Sequence, residues 1–321
     1  MRSKKLAPLS PAGLKTYSLK SRKSRVSVRS FGRPVRPAPA FQEFVRSLPD
    51  ILAGGDFQEL LGLWRRARRR GRGVLFGLGA HVIKVGLNPV LIDLMERGWI
   101  TALAMNGAGI IHDFEVAFCG RTSEDVGRQL GGGRFGMARE TGELLSRAVS
   151  EAAQGNRGLG ESVGDMIASS RWPHRSRSLL AAAHRLGLPV TVHVAIGTDI
   201  IHFHPAMNGR DLGQASLTDF FLLSSELRRL NDGGVFINCG SAVILPEVFL
   251  KAVTFVRNRG FTLEGLVTAV FDFHHHYRPR QNVTLRPVGA RGRGFYFLGH
   301  HELMIPLLAA CLKSLAAPGR V

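Results

Sequence analysis

The side chains with the most chemical reach in this sequence are imidazoles set among small-residue turns. The stretch NGAGIIHDFEVAFCG, Asn106 to Gly120, drops a His112–Asp113 pair into what reads as the start of a helix. IGTDIIHFHP carries Asp199, His202 and His204 just after an apolar run. FDFHHHYRPR strings His274, His275 and His276 ahead of Arg278, and His300 and His301 form a further pair. Of twelve histidines, His81, His112, His202, His204, His274, His275, His276, His300 and His301 fall at or beside predicted strand ends, whereas His174, His184 and His193 do not. Neutral imidazoles can hydrogen-bond or move protons near pH 7, which makes His112, Asp199 and His204 the catalytic candidates. His202, His274, His275, His276 and Arg278 are the substrate-contact candidates. The i, i+2 spacing of His202 and His204 could also present two imidazoles to one metal from an extended segment. His202, His204 and His274 then form an alternative, a metal site with hydrolase or lyase chemistry. Asp199 reads either as a carboxylate for a ribose or cationic substrate, or as a cap on its own turn. Cys239 is a thiolate ahead of a helix start or a small apolar residue closing a buried strand. Ser241 is a cap or a hydroxyl contact to a cofactor.

These residues need a scaffold that brings strand ends together. From Gly73 onward, short apolar runs alternate with helical patterns. GVLFGLG, WITALAM, LPVTVHVAIG, GVFINCG and LEGLVTAVFDF read as strands. NPVLIDLMERG, with Asn88 as cap, Pro89 in the first turn and Gly98 closing, reads as a helix. RTSEDVGRQL, RETGELLSRAVSEAAQG, SRSLLAAAHRLG, SLTDFFLLSSELRRLNDGG capped by Ser216, LPEVFLKAVTFVRNRG and HHELMIPLLAACLKSL read as helices too. Continuous apolar strands, each followed by a helix, predict an α/β fold: a doubly wound, mainly parallel, Rossmann-like sheet covered on both faces. Too few strands are present for an eight-fold barrel. Ligands of such a sheet bind outside the carboxyl ends of its strands. Glycine and alanine there let backbone approach a phosphate or ribose closely. GLGAHV alone is not a full G-x-G-x-x-G fingerprint.

Composition narrows the class. The chain has 321 residues and a net charge of +19, but residues 1–72 hold 18 Lys/Arg against four acids and the rest hold 25 against 20. The basic signal therefore belongs to the N-terminal segment, which reads as a partly extended arm over residues 1–40 that packs on a neighbour or stays mobile. Residues 41–316 form one α/β domain and 317–321 a tail. LLGLWRRARRRGRG reads as an amphipathic helix with an Arg-rich end that suits the helix dipole. No aromatic ladder for base stacking accompanies it, which argues against nucleic acid. No apolar run reaches the roughly 18–20 residues of a membrane span. Cys119, Cys239 and Cys311 lie far apart and fit a reducing cytoplasm.

Taken together the turns resemble the deoxyhypusine synthase family, especially its shorter bacterial deoxyhypusine-synthase-like members. The resemblance runs from LKTYSLKSRKSRVSV (Leu14–Val28) to GHHELMIPLLAA (Gly299–Ala310). Its most specific runs are NGAGIIHDFEVAF, LGGGRFGMARETGELL, VHVAIGTDIIHFHP and GSAVILPEVFLKA. The resemblance implies a homotetramer that binds NAD at subunit interfaces and transfers an aminobutyl group through an enzyme–lysine imine. Carried over residue by residue, NAD contacts fall on the Gly79–Leu87 turn with Gly79, Ala80 and His81. Others fall on Asn106, Gly107, Ala108 and Gly109, on Thr198 and Asp199, on Gly240, Ser241 and Ala242, and near Gly299 and His300.

The departures bear on substrate. The family's catalytic lysine follows an Arg-Pro pair, but after Arg278-Pro279 this chain reads RQNVTLRPVG, without lysine or tryptophan. The family's histidine after the tri-glycine turn corresponds to about Pro246. His112, His204 and the His274–His276 cluster stand where the resemblance expects carboxylates. A pocket whose acids have become imidazoles loses Coulomb attraction for a polyamine, and without the lysine the imine route closes. The expected function is an NAD-binding transferase or oxidoreductase acting on an amine or related small molecule, distinct from true deoxyhypusine synthesis. The alternatives are the His-rich metal enzyme on the same fold and a non-catalytic cofactor-binding homologue.

Overall fold

Strands that are apolar on both sides are covered on both sides, and the two cores here divide along that alternation. The computed structural model describes residues 11, 13–32, 34 and 39–314. The tail at 317–321 and most of residues 1–12 lie outside them. The strands are β1 (Ser24–Ser27), β2 (Val74–Leu78), β3 (Ala102–Asn106), β4 (Arg121–Glu124), β5 (Val190–His193), β6 (Val235–Cys239), β7 (Val267–Asp272) and β8 (Arg293–Leu298). Val74, Phe76 and Leu78 of β2 and Val235, Ile237 and Cys239 of β6 face one core, while Leu75 and Phe236 face the other. On the second face Phe236 stacks on Phe249 of helix Ile244–Asn258 at 3.8 Å between ring centroids. On the first, the indole of Trp64 is wholly buried and donates to the carbonyl of Trp99 at 2.9 Å.

Six strands form one parallel sheet in the order β5-β3-β2-β6-β7-β8. Counted along the chain within that sheet this is 3-2-1-4-5-6, the doubly wound order of dinucleotide-binding folds. The chain reverses its direction of growth between β2 and β6, and the crevice at their carboxyl ends is the switch point. The predicted doubly wound α/β fold is therefore present, with helices on both faces.

Several local expectations differ. RTSEDVGRQL is not one helix: Arg121–Glu124 is a strand pairing antiparallel with β1, and only Val126–Leu130 is helical. β8 is an additional edge strand. Helix Leu159–Ser169 is additional too, and its Gly160 lies so close to β5 that a Cβ would stand 2.2 Å from the Val190 carbonyl oxygen. Asn88 is the first residue of its helix rather than the cap, and its amide donates to Asp113 and to the Arg177 carbonyl, both at 2.8 Å. Ser216 sits inside helix Gly209–Leu227, whose cap is Asn208; its hydroxyl bonds the Val192 carbonyl instead. His193 is the last residue of β5, so it does lie at a strand end, buried against Thr191.

The described part of the basic arm packs on its own chain. Leu19 is buried, and its N–H and the Ser18 hydroxyl both donate to Glu140, at 2.6 and 2.7 Å. Arg22 is buried as well, 4 % exposed, and leads into β1. The arm thus reaches the carboxyl edge of the sheet, where the candidate site lies.

Candidate active site

β3 ends at Asn106 and helix Gly107–Cys119 begins at once. Glycine is required at this junction because a Cβ on Gly107 would stand 2.1 Å from Asp199 Oδ2. Asp199 arrives from the loop after β5 and is 7 % exposed. Among the described residues, its Oδ2 and the Asn106 Oδ1 have no hydrogen-bond partner although both atoms are buried. Burial lifts the Asp199 carboxyl to about 6. A buried carboxylate oxygen left without a donor is costly unless something bonds it.

Beside this junction opens a pocket of about 230 Å³ whose charged and titratable lining is Arg22, Lys84, His112, Glu115, Glu124 and Asp199. Ala108 and Thr198 line it too. His112 and Glu115 share one helix face through their i, i+3 spacing. Arg22 forks onto both oxygens of Glu115, at 2.9 and 2.6 Å, and reaches Glu124 at 3.2 Å. The Thr122 and Thr141 hydroxyls also donate to Glu115, at 2.6 and 3.0 Å. Tyr17 and the Gly136 N–H complete Glu124.

This network fixes the protonation of His112. Thr122 spends its hydroxyl hydrogen on Glu115, so its oxygen can only accept from His112 Nδ1, 2.7 Å away. Nδ1 therefore carries the hydrogen and Nε2 is the lone-pair nitrogen. Burial, against the pull of Glu115, lowers the imidazolium to about 4, so His112 is neutral at pH 7. The neighbouring Asp113 does the opposite job. It accepts from Ser178, from Asn88 at 2.8 Å and from the N–H groups of Leu179 and Leu180 at 2.8 and 3.1 Å, capping helix Leu179–Leu186.

The remaining histidines separate. His202 Nδ1 accepts from the Gly197 and Asp199 N–H groups at 3.0 and 3.3 Å. Its hydrogen is thereby on Nε2, which points toward Asp199 Oδ2 at 3.7 Å. His204 packs instead on Gly142, where a Cβ would stand 2.0 Å from its Cδ2, and it does not line the pocket. His274, His275 and His276 follow β7: the His274 N–H bonds Asp272, and the rings of His274 and His276 lie 5.9 Å apart, with His275 against Tyr296. Arg278 pairs with Glu247 at 3.2 Å. Among the described residues no group of three or more His, Cys, Asp or Glu converges on a metal position. The alternative set His202, His204 and His274 is accordingly corrected: its members face Asp199, Gly142 and the loop after β7.

At the switch point, Gly79 and Gly240 nearly touch. A Cβ on Gly79 would stand 2.1 Å from the Gly240 oxygen, and the Gly79 N–H bonds the Cys239 carbonyl at 2.8 Å. Ala80 and His81 follow, and the His81 ring lies 5.6 Å from both His301 and Phe273. His301 is buried, and its Nε2 donates to the Phe271 carbonyl at 3.2 Å. His300 points outward near Glu302. The Ser241 hydroxyl accepts from the Leu245 N–H at the start of helix Ile244–Asn258. Cys239 is buried and its thiol is pushed well up by burial, so it is a core residue and not a nucleophile.

Arg22, Lys84, Glu115, Thr122 and Glu124 were not singled out by sequence. The i, i+3 relation of Glu115 to His112 was the one available signal; the others depend on β1 pairing with β4 and on the arm's path.

No protein-family profile matches the sequence, and no curated protein matches it. Among solved structures the fold is similar to AgrE in its ternary complex with ornithine and NAD+, at TM-score 0.51 and 16% identity, over 89% of this chain and 35% of that one. An AgrE variant bound to L-arginine gives 0.51 and 17%, over 88% and 34%. The chain spans about a third of AgrE's length. A protein of Entamoeba histolytica assigned as a deoxyhypusine synthase aligns over 89% of this chain and 99% of that one, at TM-score 0.46 and 10% identity. No helix among the described residues is long and apolar enough to cross a membrane. The strand order and the likeness to AgrE together give a Rossmann-like fold.

Proposed function

We propose that this chain is an NAD-dependent enzyme of the deoxyhypusine-synthase-like kind. It acts on a small amine or related molecule and does not make deoxyhypusine. The observation that carries the reading is the unpartnered Oδ2 of Asp199, buried against Gly107 at the edge of a pocket whose imidazole is fixed as a neutral base. The donor set fits a dinucleotide. Asp199 and Asn106 offer acceptors for ribose hydroxyls, and the Gly79 and Gly107 turns bring backbone close to a ligand. AgrE, similar in fold, was solved with NAD+ and ornithine.

When bound, NAD supplies a hydride acceptor. The chain's part is binding and proton handling. His112 Nε2 takes the N–H or O–H proton that oxidation of the substrate releases, and Thr122 and Glu115 hold the ring in that tautomer. Arg22 pairs with both Glu115 and Glu124, so neither of these two acids is free to meet a spermidine-like trication. We further propose a homotetramer with its sites at subunit interfaces, in a reducing compartment such as the cytoplasm. Val126, which lines the pocket, and Ile196 and Leu130 are 43%, 67% and 63% exposed and offer apolar surface for such contacts.

Native mass spectrometry of the purified chain tests the reading, with calorimetric titration of NAD into wild type and Asp199→Asn. We expect bound or titratable NAD in an oligomer, and a loss of about tenfold or more in affinity for the variant. Wild-type protein that takes up no NAD at millimolar concentration would sink the proposal.

A further inference from the structure

Lys84 ends the short helix Ala80–Lys84 and lines the pocket beside His112. Burial opposes protonation of His112, and the Lys84 charge adds to it; at His81 burial and His301 act first and Lys84 after them. The pocket's other cation, Arg22, is committed to Glu115 and Glu124. Those two acids have in turn taken Thr122, Thr141, Tyr17 and the Gly136 N–H as donors. Among the described residues Lys84 has neither an ion-pair partner nor a hydrogen bond. Lys84 is half-buried in the pocket wall, and an anionic oxygen entering the pocket would give its ammonium a charge-assisted partner.

We propose that Lys84 is the anion-binding group of this pocket and that it selects a small substrate bearing a carboxylate. The proposal rests on reading the pocket as a substrate site. The Lys84 ammonium calls for an anionic group, which a polyamine does not carry. A phosphate of the dinucleotide is the other source of anionic oxygen, since the Gly79 turn leads directly into the helix that carries Lys84.

The test uses L-lysine and 1,5-diaminopentane, which differ by one carboxylate, together with succinate. Each is titrated calorimetrically into the full chain, with and without NAD, for wild type, Lys84→Gln and Lys84→Arg. Thermal melts confirm that both variants fold. We expect a carboxylate probe to bind at least about tenfold more tightly than 1,5-diaminopentane. Lys84→Gln should erase that preference, Lys84→Arg should keep it, and NAD affinity should stay within about twofold. Loss of NAD affinity in Lys84→Gln with carboxylate binding intact assigns the lysine to phosphate and overturns the substrate claim. Equal binding of 1,5-diaminopentane, or no binding of any carboxylate, overturns it as well. Carboxylate discrimination in a wild type that never binds NAD would sink the dinucleotide reading and leave this one standing.

Discussion

Arg22 and Glu115 lie 93 residues apart in sequence and form a two-pronged, fully buried ion pair, with nitrogen–oxygen distances of 2.9 and 2.6 Å. Buried pairs are weak evidence of net stability, but removing one member strands the other's charge. Arg22→Met leaves Glu115 and Glu124 buried without their cation. The variant should lose about 3–5 kcal/mol of unfolding free energy in urea titration. A midpoint shift equivalent to less than about 1 kcal/mol would mean that the carboxylates rehydrate, and that the arm is only loosely seated.

Thr122 transmits that charge to the imidazole. Thr122→Val removes the acceptor that His112 Nδ1 needs and the donor that Glu115 uses. Stability should fall by about 1–3 kcal/mol, since buried partners are left unsatisfied. Nitrogen NMR of the His112 ring should show the Nδ1–H tautomer in wild type and a mixture in the variant. A dominant Nε2–H signal in wild type contradicts the assigned relay.

Two adjacent residues, His112 and Asp113, should separate function from stability. Asp113→Ala strips four donors of their acceptor and should cost on the order of 3 kcal/mol, with or without ligand. His112→Gln should leave the melting temperature nearly unchanged and abolish NAD-linked turnover. A folded, active His112→Gln enzyme would remove His112 from the chemistry.

The pH dependence of folding reports on Asp199. Its carboxyl rises from 3.8 to about 6 on folding because burial favours the neutral form. Between those values the folded state keeps a proton that the unfolded chain has released, so stability falls as pH rises through the window. Asp113, raised to about 6, and Asp219, raised to about 8, add slopes of the same sign. Asp199→Asn lacks one of these contributions and should gain stability relative to wild type as pH climbs from about 4 to 7. Parallel stability curves for the two proteins would show that Asp199 titrates normally. NAD affinity should strengthen as wild type passes pH 6, when the ribose acceptor ionises.

The sheet was legible because its strands are unbroken apolar runs, and five of its six were read directly. β8 escaped because it is an edge strand in which Arg293, Gly294 and Leu298 are exposed and only Phe295 and Phe297 are buried. β4 was read as helix because its buried side chains, Thr122 and Glu124, are polar, and hydrophobic periodicity cannot see a buried polar face. Helix Leu159–Ser169 owes its place to Gly160 and Gly164, residues that lower helix propensity while permitting close packing. The turns Gly79, Asn106–Ala108, Thr198–Asp199 and Gly240 were legible as strand-end positions. Which imidazole turns inward was not. His202 and His204 are two residues apart, yet one faces Asp199 and the other packs on Gly142. That choice is made by a 3-10 turn, Ile200–Phe203, rather than by an extended strand.

The seating of Arg22 changes how the basic arm should be handled at the bench. A segment so rich in Lys, Ser and Pro invites trimming to improve solubility or crystals, and a cut at residue 40 looks harmless from composition. Such a shortened protein would keep every turn assigned to the dinucleotide. It would lack the cation that pairs with Glu115 and Glu124, and its pocket would present two acids held only by neutral donors. It should then bind polyamines more tightly than the intact chain does, so a ligand screen on trimmed material would return a different class of hit.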